Sequence, residues 1–60
     1  MFIELETISG EIVFLNTKYI IKITQAKAYK GINYTIFYKW GDVVENITVD
    51  SSSNIDSLFI

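Results

Sequence analysis

Cysteine, histidine and arginine are all missing from this 60-residue sequence. Without cysteine there is no disulfide and no thiolate metal site. Without histidine the commonest metal ligand and the commonest general base are gone, so neither a metal site nor a cofactor is expected. Without arginine there is no bidentate reader of phosphate or guanine. A chain of this length buries only about 60% of the surface its unfolded form exposes. Small domains make up that deficit with disulfides, a metal or a partner chain, and here a partner chain is the obvious support. A single domain over residues 1–60 and self-association are the first expectations.

Basic charge is scarce as well. Five lysines, from Lys18 to Lys39, stand against seven acids for a net charge of −2, whereas a nucleic-acid binder normally carries a basic stripe. Long apolar runs are lacking too. Ile12–Leu15 and Tyr19–Ile21 fall far short of the roughly 20 residues a membrane-spanning helix needs. Met1-Phe2-Ile3-Glu4 has neither the basic start nor the apolar stretch of a signal peptide, so a cytoplasmic location is expected. Asn33-Tyr34-Thr35 and Asn46-Ile47-Thr48 fit the glycosylation pattern but read as ordinary strand polars. The bias toward Lys, Ile and Asn suggests an AT-rich genome, that of a low-GC bacterium or its virus.

What is abundant is hydrophobic residue, half of the chain, arranged in short runs. Phe2–Ile8 alternates, with Ile3 and Leu5 on one face and Glu4 and Glu6 on the other, as in a strand. Ser9-Gly10 signals a turn, and Glu11–Leu15 returns as the second strand of a hairpin. The apolar residues of that second strand fall on both faces, which reads as a central strand or one covered on both sides. Asn16–Lys18 breaks the pattern and predicts a loop or a single helical turn over 16–19. Ile20–Gln25 resumes a strand. Ala26–Gly31 reads either as its extension or as the following loop, with Gly31 at the turn. Ile32–Trp40 is the strongest strand, rich in β-branched and aromatic residues. Gly41-Asp42 makes a turn, and Val43–Val49 is the last strand. In the C-terminal segment Ser53 and Asp56 resemble a capping box, and Ile55, Leu58 and Phe59 recur at helical spacing, predicting a short helix.

Tyr34, Phe37, Tyr38 and Trp40 fall within seven positions, beside Lys39. Lys30, Gly31, Tyr34 and Phe37 match part of the RNA-recognition pattern K-G-F-G-F-V-x-F, but Ile32 replaces one of its base-stacking aromatics. The chain has no room for the two helices that fold requires, and its acidic balance opposes RNA. Packing is the stronger reading, with Tyr34 and Ile36 in the core, Tyr38 and Trp40 near its rim, and Tyr29 and Phe37 exposed for a partner. Ile12, Phe14, Ile20, Phe37 and Val44 are expected on faces opposite the core, where so much apolar surface calls for a second chain. Glu4, Glu6 and Glu11 could in principle do acid–base work, yet a solvated strand face accounts for them. Ser51-Ser52-Ser53 has no base to activate a hydroxyl, and helix capping explains it.

Ile3-x-Leu5, Gly10, Leu15-Asn16, Ile20 and Ile23 are followed by an aromatic-rich strand, by Gly41, and by Val49-Asp50-Ser51 leading to Ile55 and Leu58. In these features the run from Ile3 to Val49 resembles the small FlbD-like proteins of bacterial flagellar operons and related short phage proteins. The resemblance implies a small, non-catalytic accessory β protein, and it transfers no catalytic residue.

The fold expected is all-β, or small α+β if the helix counts: about five antiparallel strands as a curved sheet or small barrel with one short C-terminal helix. The function expected is a non-enzymatic interaction module, a homo-oligomer that binds a protein partner. The partner-binding residues expected are Tyr29, Lys30, Phe37, Tyr38 and Trp40. The alternative is a phage-encoded inhibitor or sponge for a small anionic, nucleotide-like ligand of host defence, acting in the host cytoplasm with its pocket between subunits. There Trp40, Tyr38 and Tyr29 would stack on the ligand and Lys27 or Lys30 would meet its charge. Single-stranded RNA binding is disfavoured, and no enzymatic activity is expected.

Overall fold

Alternation of apolar and polar residues over most of the chain produces five antiparallel strands. A computed structural model describes residues 1–50, 55 and 58. The strands are β1 (Phe2–Glu6), β2 (Ile12–Asn16), β3 (Ile20–Ala28), β4 (Gly31–Trp40) and β5 (Val43–Asp50), with a 3-10 turn at Thr17–Tyr19. They form two sheets, β1-β2 and β3-β4-β5. Among the described residues no ladder joins β2 to β3, so the small barrel expected as one alternative is not closed. No helix among them is long and apolar enough to cross a membrane.

In the first hairpin Ile3 pairs with Leu15 and Leu5 with Val13, facing inward, while Glu4 opposite Phe14 and Glu6 opposite Ile12 face out. Here one expectation fails. β2 is neither central nor covered on both sides. Among the described residues it is an edge strand paired only with β1, and Ile12 and Phe14 on its outer face are exposed. The break after it is the single helical turn expected. Asn16 caps this turn, its Oδ1 accepting from Lys18 N at 3.1 Å. Thr17 then anchors the chain start, donating from N and Oγ1 to the Met1 carbonyl at 2.9 and 3.1 Å.

The ambiguous run after Gln25 resolves as strand. β3 continues to Ala28, Tyr29-Lys30 forms the turn, and Gly31 follows at φ 110°, a backbone conformation that costs glycine least. β4 lies between β3 and β5. Both glycosylation-like triplets fall on strands, and their Thr35 and Thr48 hydroxyls meet across the ladder at 3.4 Å.

The sheets are tied through Thr7. It bridges Val49, and Ile8 N donates to the Thr48 carbonyl at 3.0 Å. Thr7 N donates to the Glu11 carbonyl at 2.8 Å, its carbonyl accepts from Gly10 N at 2.9 Å, and its Oγ1 accepts from Glu11 N at 3.1 Å. A buried threonine is thus hydrogen-bonded in full view of the core, as a buried polar group must be. The core is Ile3, Leu5, Leu15, Ile36, Val49 and Ile55, with Ile20, Ile23, Tyr34, Tyr38, Ile47 and Leu58 packed against it. Each fully buried side chain contributes about 1.5–3 kcal/mol. Ile20 therefore packs on the core and not on the opposite face, because a register shift in β3 between Ile20 and Lys22 re-aims the strand there. Of the expected C-terminal helix only Ile55 and Leu58 are described, and both reach the core. The Ser53–Asp56 box and Phe59 lie outside the described residues.

Candidate functional site

The β4–β5 turn sets the geometry of the site. Gly41 sits at φ 61°, as the first central residue of a type II′ hairpin turn does. This turn places Trp40 opposite Val43 and Tyr38 opposite Glu45. By alternation, Tyr38 and Trp40 share the face of β4 that carries Ile36. The 3-10 turn brings Tyr19 to the same end of the molecule, and β2 supplies Phe14.

Between them lies a cleft of about 350 Å³ lined by both sheets. Its aromatics are Phe2, Phe14, Tyr19, Tyr38 and Trp40, and its charged groups are Lys39 and Glu45. A second depression shares Tyr19, Lys39 and Trp40 with it. Four of these aromatics are largely open to solvent: Phe2 is 68% exposed, Phe14 65%, Tyr19 50% and Trp40 73%. The Nζ of Lys18 lies 5.9 Å from the centroid of the Tyr19 ring, a favourable cation–π distance.

Tyr38 is the polar hinge of the cleft. Its hydroxyl donates to Glu45 Oε1 at 3.4 Å. Burial, followed by the charge of Glu45, the hydrogen bond to it and the more minor charge of Glu11, pushes the Tyr38 phenol above its ordinary value of 10.0. All four influences favour the neutral phenol, so Tyr38 offers the cleft a protonated hydroxyl.

The structure divides the residues expected to form one site. Tyr38 and Trp40 line the cleft. Tyr29 and Lys30 form the β3–β4 turn at the other end of β4, about 30 Å away for a strand of this length, with Tyr29 98% exposed. Phe37 is on the opposite face of β4 and is half-buried, not exposed, because the Nζ of Lys22 sits 4.8 Å from its ring centroid. Lys27 pairs with Ile32 near the same distant turn, so neither Lys27 nor Lys30 lies near Trp40 of the same chain. Tyr34 packs on the core while Phe37 faces away from it, so the two do not make a common platform for bases.

Phe2, Tyr19 and Glu45 are cleft residues that sequence reasoning missed, and Phe14 was expected only on the apolar face opposite the core. The available signal was β2 itself, apolar on both faces, followed at once by a turn ending in Tyr19. No family model, curated protein or solved structure matches the chain.

Proposed function

We propose that this protein is a non-enzymatic β interaction module that acts as a homo-oligomer and binds a protein partner. One observation carries the reading: Phe2, Phe14, Tyr19 and Trp40, all at least half exposed, gather around one cleft. Clustered apolar surface of this kind marks an interaction site, whereas singly scattered residues do not. Tyr and Trp, with an apolar body and a polar tip, suit the edge of an interface. The cleft end serves self-association. The distant turn, with Tyr29 flanked by Lys27 and Lys30, is the surface for a protein partner of acidic character. The resemblance to FlbD-like proteins fits a small accessory role of this kind in the cytoplasm.

A second reading takes the cleft as a small-ligand site, since its volume is within the range such pockets occupy. Glu45 beside Lys39 opposes a nucleotide-like anion there. A nucleotide panel in a thermal-shift assay raises the melting temperature only under this second reading.

Trp40 is the single tryptophan, which makes the test of self-association simple. Its emission should shift to the red on dilution as the cleft is uncovered. Emission typical of exposed indole at every concentration would refute the reading.

A further inference from the structure

We infer that two copies of the chain join through the free edges of their β2 strands, antiparallel about a twofold axis at Phe14, so that each copy helps to cover the aromatic cleft of the other. The inference rests on the self-association proposed above and specifies its surface and geometry.

The first argument is the mismatch between the composition of β2 and its position. Ile12-Val13-Phe14-Leu15 is apolar on both faces, the pattern of a strand covered on both faces, yet Ile12 and Phe14 on the outer face are exposed. Within one chain β2 has a ladder only with β1 among the described residues. A second β2 on its open side brings the partner's outer-face apolar residues against Ile12 and Phe14, which one chain leaves exposed.

The second argument compares β2 with β3, an edge strand of the other sheet. Proteins guard free edges with charge, especially lysine, and with bulges. β3 has both, in Lys22, Lys27 and the register shift between Ile20 and Lys22. β2 has neither a charge nor an irregularity over its five residues. Of these two edge strands, only β2 lacks such a guard among the described residues.

The third argument is self-complementarity, which a twofold interface requires. With Phe14 on the axis, Val13 of one copy faces Leu15 of the other, and Ile12 faces Asn16. Val13 and Leu15 extend the inner apolar face across the junction, and the two Phe14 rings meet on the outer face. The acids stay apart. Glu4 lies on β1, opposite Phe14, so the two Glu4 residues are separated by three strand spacings. That is about 14 Å, beyond the screening length of about 8–10 Å.

Area supports the same occupant. A fully covered aromatic side chain removes about 150–250 Å² from water. At their present exposures, Phe2, Phe14, Tyr19 and Trp40 would give up roughly 500 Å² per copy. With Ile12 and the strand backbone added, the total approaches the 1,200 Å² or so at the lower end of stable interfaces.

Phe14→Cys tests the geometry in a chain that has no other cysteine. Directly opposed antiparallel residues have Cα atoms about 4.5–5.5 Å apart, inside the range of about 4.4–6.8 Å that a disulfide spans. Under mild oxidation at micromolar concentration, Phe14→Cys should form a disulfide-linked dimer roughly tenfold or more faster than Ala26→Cys on the β3 edge, because the paired thiols are held together. Phe14→Lys, which places a charge on the edge, should lower the mass to the 6.9 kDa of one chain. Should Phe14→Lys fail to fold, the cross-linking comparison still decides. Cross-linking of Phe14→Cys no faster than of Ala26→Cys overturns the proposal. If wild type is nevertheless oligomeric, self-association survives and only the β2 interface falls. If wild type is monomeric, both fall.

Discussion

Tyr38 and Glu45 stand opposite each other across β4 and β5, and the Tyr38 hydroxyl donates to Glu45 Oε1 at 3.4 Å. Burial and the charge of Glu45 raise the Tyr38 pKa, so the folded chain holds this proton more tightly than the unfolded one, whose tyrosines titrate near about 10. The resulting stabilisation is fully present below that pH and is lost as pH rises through the higher folded-state value. Wild type should therefore lose stability more steeply than Tyr38→Phe over that alkaline window. Melting temperatures measured against pH check this, and parallel curves for the two proteins would contradict it.

Core and surface residues should separate cleanly. Ile36 is fully buried and Tyr29 almost fully exposed. Ile36→Ala should cost roughly 2–5 kcal/mol, from lost burial plus the cavity left behind. Tyr29→Ala should leave both the melting temperature and the assembly mass unchanged. Chemical denaturation of the two variants reads the difference, and a destabilised Tyr29→Ala would place that ring in a packing role.

Thr7 bridges the two sheets through its backbone, and its hydroxyl braces the Thr7–Glu11 turn that positions this bridge. Thr7→Val keeps the shape but strips the acceptor from Glu11 N, at a cost of about 1–3 kcal/mol. The Ile8 amide, which donates to the Thr48 carbonyl, should then exchange with solvent faster than in wild type. Unchanged exchange at Ile8 would mean that the bridge does not depend on the threonine hydroxyl.

Strand number, turn positions and the inward face of β4 were legible because each rests on local chemistry. Ile36 falls at a period-two position, Asn16 is a natural cap, and Gly41 tolerates the positive φ of its turn. The grouping of site residues was not legible. Tyr29, Phe37 and Trp40 are near in sequence, but a ten-residue extended strand holds Tyr29 far from Trp40, and alternation turns Phe37 to the other face. Tyr19 and Phe14 reach the cleft only through tertiary docking of the first hairpin on the second sheet, and no local pattern encodes that approach. The edge position of β2 was misread for a related reason. Composition reports that both faces of β2 suit burial, whereas among the described residues β2 pairs only with β1 and leaves Ile12 and Phe14 exposed.

The C-terminal segment contributes to the core through Ile55, which is buried beside Ile36 and Val49 in the same cluster. Ile55→Ala should cost roughly 2–5 kcal/mol, a large share of the stability of a domain this small. Thermal denaturation followed by circular dichroism measures it. A variant that melts like wild type would show that this segment is dispensable to the core.

The central claim is that one chain leaves its aromatic cleft and β2 edge incomplete and that another copy covers them. Light scattering of the wild-type protein at micromolar concentration tests it most directly. The account predicts a mass of at least twice 6.9 kDa, falling toward the single-chain value on dilution. A mass of 6.9 kDa throughout that range would contradict it.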